Sequence, residues 1–121
     1  MVNFENEKQM KNEIARLIQL NLDFHKLNRD AEKNLGISLV QYHLLVTLRD
    51  MPGCSPQKLA AEAGLHPSTL TQSLRRLLKK SAVYIAENPK DSRKKLLTLT
   101  RGGNVLLERF SGGIGELIDK K

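Results

Sequence analysis

Apolar residues recur at helical spacing along the first 34 positions, at Met10, Ile14, Leu17, Ile18, Phe24, Leu27 and Ala31, with no Gly or Pro before Gly36. The pattern predicts one long helix over residues 1–34. Leu20 and Leu22 widen its apolar arc to more than half the circumference, whereas a helix covering one face of a small domain needs about 100°. Such an arc serves either two partners, the helix's own domain and a second chain, or one deeply buried helix. In so short a chain the first alternative is favoured.

Asn34-Leu35-Gly36 supplies a stop, with Gly36 as the C-cap. Ser38 then caps a second helix, SLVQYHLLVTLRDM, whose apolar face is Leu39, Tyr42, Leu45, Val46 and Leu48. Ser55-Pro56 opens a short third helix, PQKLAAEA, that ends at Gly64. His66-Pro67 restarts the chain as PSTLTQSLRRLLKK, with Leu70, Leu74, Leu77 and Leu78 on one face. After Ser81, AVYIAE reads as a strand, NPKDSRK as a turn, and KLLTLT as a return strand with Leu97 and Leu99 on one side. The last segment, RGGNVLLERFSGGIGELIDKK, predicts a short helix that frays or bends near Ser111, because each interior glycine costs about 1 kcal/mol relative to alanine.

Charge changes this picture. The 121-residue chain carries a formal net charge of +7. Residues 1–55 hold seven bases and seven acids, and residues 102–121 three of each, whereas residues 56–101 hold ten bases against three acids. The whole excess therefore sits in one central block, the electrostatic footprint of a polyanion partner or of a solvated basic face. Composition excludes several other classes. A single cysteine, Cys54, forms no internal disulfide and fits a reducing compartment. The acidic, amide-rich start MVNFENEKQMKNE lacks the pattern of a secretory signal, and no apolar run approaches the ~18 residues of a membrane span. A cytoplasmic protein is expected. Cys54, His25, His43 and His66 are scattered without CxxC or HxxxH spacing, so no metal is expected. No nucleophile-elbow serine, phosphate-binding glycine loop or carboxylate pair points to an enzyme or a cofactor.

The candidate chemistry lies on the outer face of the fourth helix. Ser68, Thr69, Thr71, Gln72, Arg75, Arg76 and Lys79 are donors or acceptors, none acidic. Short hydroxyls and an amide at the N-terminal end suit base edges, and cations at the C-terminal end suit phosphates. Two helices joined by a tight turn, the second polar and basic outside, form a helix-turn-helix. The basic hairpin that follows, with Lys90, Asp91, Arg93 and Lys94 at its tip, is then a wing whose arginine reaches a narrow minor groove. Asp91 is expected either to orient Arg93 through a charge-assisted hydrogen bond or to close an Asx-type turn after Asn88-Pro89. Both roles are compatible.

These stretches, SLVQYHLLVTL, SPQKLAAEAGLHPSTLTQSLRRLLKK and D-x-R ahead of L-T-L-T, resemble the MarR family of winged-helix transcription regulators over residues 35–103, and more loosely over the first helix. The resemblance implies a mainly α fold with a small β-hairpin, a winged helix-turn-helix with N- and C-terminal dimerisation helices. It divides the chain into a dimerisation helix at 1–34, a DNA-binding domain at 35–101 and a C-terminal dimerisation helix at 102–121. It implies a homodimer that represses from a pseudo-palindromic operator on double-stranded DNA and is released by a small aromatic or anionic effector. DNA-binding residues carried over are Ser68, Thr69, Thr71, Gln72, Arg75, Arg76, Lys90, Asp91, Arg93 and Lys94. Ile85 and Ser92 stand where relatives often carry arginine, and residues 102–121 are short beside the relatives' last helix. The alternative is a truncated winged-helix interaction protein that pairs with another regulator and antagonises it.

Overall fold

The computed structural model describes residues 6–119; the first five residues of the expected N-terminal helix, and Lys120 and Lys121 at its C-terminal counterpart, lie outside them. The first helix, α1 (Glu7–Leu35), starts where Asn6 accepts the Gln9 amide at 2.8 Å and stops at Gly36, whose φ of 90° is the left-handed turn that glycine adopts without strain. α2 (Leu39–Asp50) begins with a full capping box, Ser38 and Gln41 each accepting the other's amide. α3 (Pro56–Ala63) follows Ser55 and Pro56 as the sequence indicates. α4 (Pro67–Lys79) follows after Gly64, Leu65 and His66.

β1 (Val83–Asn88) and β2 (Asp91–Leu99) form an antiparallel hairpin in which Val83 faces Leu99, Ile85 faces Leu97 and Glu87 faces Lys95. The hairpin is tighter than its composition suggests. Asp91, Ser92, Arg93 and Lys94 belong to the start of β2 rather than to the turn, and Asn88 pairs directly with Asp91. The register breaks after Glu87, where β2 has three more residues than β1. Cys54 adds a one-residue third strand: its carbonyl accepts the Leu97 amide at 2.8 Å, and the Leu97 carbonyl accepts the Gly53 amide at 2.9 Å.

α5 (Arg101–Asp119) is continuous through Gly112, Gly113 and Gly115, so the expected break near Ser111 does not occur. Packing is the reason. A Cβ on Gly113 would overlap the Leu35 side chain, and one on Gly103 would overlap the Ala82 carbonyl and Leu99. Two of the glycines are thus places where α5 seats against α1 and against the wing. Thr100 fastens the helix start: its hydroxyl donates to the Ser81 carbonyl at 2.6 Å and accepts the Gly103 amide at 3.0 Å.

The core is aliphatic. Ile37, Leu44, Leu45, Leu48, Leu59, Leu77 and Leu97 are fully buried, joined by Ala31 and Leu35 of α1 and by Leu107 and Phe110 of α5. Phe110 stacks on Tyr42 with ring centroids 4.2 Å apart. α1 contributes only its C-terminal end to this core. Met10, Ile14, Leu17, Ile18, Leu20, Leu22 and Phe24 are all exposed, from 41% at Phe24 to 57% at Leu22. No helix among the described residues is long and apolar enough to cross a membrane.

Candidate nucleic-acid interface

Helix phase sorts the polar residues of α4. Leu70 and Leu77 are buried, and at 100° per residue the direction opposite them runs through Ser68, Gln72, Arg75 and Lys79. All but the half-buried core-side positions Ser73 and Leu74 are exposed along the rest of the helix down to Lys79. Thr71 lies on the flank nearer the wing, and Thr69 and Arg76 on the other flank.

The helix N-terminus is built by a residue outside the usual capping set. His66 Nδ1 accepts the Ser68 amide at 3.1 Å and lies 2.8 Å from the Ser68 hydroxyl. A ring nitrogen accepting an N–H carries no proton, so the hydroxyl donates to it as well. The Thr71 hydroxyl likewise donates to the Pro67 carbonyl at 2.9 Å. With their protons engaged, both hydroxyls present lone pairs outward and suit amino-group donors. Gln72 offers both a donor and an acceptor, and Arg75 and Lys79 offer donors only.

The wing places Arg93 as the sequence suggests. Asp91 Oδ1 accepts both the Arg93 backbone amide at 3.1 Å and its Nε at 3.2 Å, so one carboxylate closes the Asx-type turn and orients the guanidinium. Asn88 performs a matching turn by accepting the Lys90 amide at 2.9 Å. The Arg93 side chain is otherwise open, 89% exposed.

The wing and α4 stand side by side. A cleft of about 550 Å³ separates them, with Ser55, Pro56 and Gln57 at the positive end of α3 on one wall, Pro67 and Thr71 of α4 at its floor, and Arg93, Lys94 and Lys95 on the other wall. Lys95, one of the four bases of the hairpin, and the α3 terminus are not among the DNA-binding residues expected from the sequence, and only the fold brings them to the same cleft. Arg76, by contrast, is turned toward α1, its Nη1 3.4 Å from Glu32 Oε1. Lys90 and Lys94 are exposed on the wing.

The other titratable candidates are settled differently. Burial pushes the Cys54 thiol up, against smaller lowering effects of a backbone hydrogen bond and the Lys58 charge, which opposes a thiolate-based redox switch. A His43 ring nitrogen is bonded to the Ala63 carbonyl at 2.8 Å. Among the described residues no group of His, Cys, Asp and Glu could hold a metal ion.

Residues 37–95 match the profile of the MarR family. The chain is 29% identical over 98 residues to the HTH-type transcriptional regulator BilQ of Clostridium symbiosum, which covers 81% of this chain and 68% of that protein. It is 33% identical over 91 residues to the uncharacterized HTH-type transcriptional regulator YdgG of Bacillus subtilis, covering 74% and 59% respectively. Among solved structures, the MarR family transcriptional regulator Sco3205 of Streptomyces coelicolor, in complex with DNA, superposes with a TM-score of 0.80 at 24% identity, over 99% of this chain and 76% of that one. The PcaV transcriptional regulator of the same organism, in complex with its natural ligand, gives 0.74 at 22% identity over 98% and 82%.

Proposed function

We infer the function from one premise, that the chain belongs to the MarR family of winged-helix transcription regulators: it binds a pseudo-palindromic operator as a homodimer and represses from it. The observation that carries this reading is the ordered face of α4. Ser68 and Gln72 lie at the N-terminal end of its exposed line, Arg75 and Lys79 at the C-terminal end, and Arg93 flanks it across a basic cleft. In a helix-turn-helix the N-terminal residues of the second helix meet base edges. Ser68, Thr69, Thr71 and Gln72 are the base readers in this reading, and Arg75 meets phosphate. A DNA strand runs through the cleft against Lys94 and Lys95, with Lys90 at its edge, and Arg93, aimed by Asp91, enters the minor groove.

The dimer rests on α1. Seven large apolar side chains between Met10 and Phe24 are exposed, a contiguous patch of the kind that marks an association surface. α5 packs on the same helix at Leu35, which supports pairing through both termini. For an effector, the support is a recess of about 300 Å³ between α2 and α5, lined by Tyr42, Arg49, Asn104, Leu107, Glu108 and Ser111, in which Arg49 is the one cation and Glu108 the one anion. An arginine next to an aromatic ring suits a small aromatic anion. PcaV, whose structure holds its natural ligand, is a neighbour of the same fold.

The test is a fluorescence-anisotropy titration of the chain against fragments of the DNA upstream of its own gene, at two salt concentrations, with the mass in solution measured alongside. Binding by a dimer, with one fragment preferred and affinity falling steeply with salt, is expected. A folded dimer with no salt-sensitive binding would instead favour a protein that pairs with another regulator.

A further inference from the structure

Arg76 differs from the other cations of the recognition helix because it already has a partner. Its Nη1 lies 3.4 Å from Glu32 Oε1, on the far helix α1. Glu32 is itself held in place. Its Oε2 accepts from Lys80 Nζ and from Gln41 Nε2, each at 2.7 Å. Gln41 is buried, and its Oε1 accepts a second bond from Lys80 Nζ at 2.6 Å. Burial pushes the Glu32 carboxyl up, but the hydrogen bonds from Lys80 and Gln41 and the charges of Lys80 and Arg76 outweigh it and hold the group below the usual carboxylate range. The carboxylate is therefore a fixed anion, ordered by two neighbours before Arg76 meets it.

We propose that Glu32 is a built-in counterion that takes the place of a DNA phosphate at Arg76, so that the recognition helix neutralises one phosphate fewer than its charge allows. The inference rests on the DNA-binding reading above. Arg76 follows Gln72 by four residues and so lies only about 40° from it around α4, within reach of the same groove edge for a long side chain. Arg75 and Lys79 have no acidic partner among the described residues that would hold them back. One arginine of the pair is free for DNA and its neighbour is withheld. Because Glu32 belongs to α1, a shift of α1 against α4 changes how much positive charge the recognition helix offers.

The experiment compares the salt dependence of DNA binding for the full chain, Glu32→Gln, Arg76→Gln and the double variant, with helix content checked by circular dichroism. Each phosphate neutralised contributes about 0.9 to the slope of log affinity against log salt. Arg76→Gln is expected to leave the slope unchanged. Because the dimer carries two copies of the pair, Glu32→Gln is expected to steepen it by about 1.8, which between roughly 50 and 200 mM salt is about a 12-fold greater loss of affinity, and the double variant to return it to the starting value. An unchanged slope in folded Glu32→Gln overturns the proposal. So does a shallower slope in Arg76→Gln, a readout that survives even if Glu32→Gln does not fold. A starting protein with no salt-dependent binding would sink the DNA-binding reading itself, which is a different outcome from normal binding with unresponsive variants.

Discussion

Alanine substitutions at two glycines of α5 should move stability in opposite directions. In a helix interior, alanine is favoured over glycine by about 1 kcal/mol. At Gly112 an added Cβ meets nothing within 4 Å, so Gly112→Ala keeps the whole gain, roughly 3–5 °C in Tm for a chain of this size. At Gly103 the same Cβ would lie 2.5 Å from Leu99 Cδ1 and would also overlap the Ala82 carbonyl oxygen. That oxygen is main chain and is fixed by the Thr100 amide at 3.1 Å, so no rotamer change relieves the overlap. Overpacking of this kind costs about 1–3 kcal/mol. Set against the propensity gain, Gly103→Ala should lose up to about 2 kcal/mol. Gly113→Ala should fall between the two, because its obstacle is the end of the Leu35 side chain, which can rotate. Thermal unfolding by circular dichroism at one fixed protein concentration reads all three. Equal rises for Gly103→Ala and Gly112→Ala would refute the seating of α5 against the base of the wing. A fall for Gly112→Ala would show instead that a partner chain approaches that glycine closely.

The wing arginine is exposed and, among the described residues, forms its ion pair with Asp91, so Arg93→Ala should weaken operator binding while leaving Tm nearly unchanged; a clear drop in Tm would make the arginine structural. Gln72→Ala should relax preference at one base position by about 1–3 kcal/mol, measured on a panel of single-base operator variants, and uniform weakening would place Gln72 on phosphate. Ile14→Glu combined with Ile18→Glu, both on the exposed apolar stretch of α1, should dissociate the dimer to monomers in sedimentation or light scattering with the core intact. A dimer that survives would move the interface off that stretch. Burial pushes the Cys54 thiol up: the unfolded chain releases its proton first, so the contribution to stability is complete below the ordinary thiol range and is lost as pH rises from there through the raised value of the folded state. Iodoacetamide should label Cys54 slowly in the native protein and fast in denaturant, and fast native labelling would contradict its burial.

Local chemistry made the helix-turn-helix legible. Ser38 with Gln41, Ser55 with Pro56, and Gly64 act within one helical turn, so their roles can be read from short spacings. The Asp91–Arg93 pair was legible for the same reason, its partners being two residues apart. Long-range features were not. The glycines of α5 read as weaknesses because nothing near them in sequence shows that Leu35 and Ala82 need their missing side chains. Glu32 reads as one more surface acid of a charged helix, since its partners Arg76 and Lys80 are 44 and 48 residues away. His66 does not read as a cap because imidazole lies outside the usual set of short hydroxyl and amide groups. The hairpin tip reads wider than it is because Asp91 to Lys94 have turn-forming composition, yet Asn88 and Asp91 each close a turn by themselves.

The register break after Glu87 gives the wing two mechanical halves. Below it, the ladder from Val83–Leu99 to Glu87–Lys95 is clamped on its far side by Cys54 and Gly53, which makes a stiff stalk rooted in the core through Leu97. Beyond it, Ser92, Arg93 and Lys94 have no cross-strand partner, so this stretch bends without straining the ladder. On the DNA-binding reading proposed above, a stiff stalk with a compliant end would let Arg93 follow grooves of different width while α4 stays in place. Such a tip would respond to the local shape of DNA beside the operator as well as to its bases, and operators differing only in flanking A·T content should therefore be ranked by the wing.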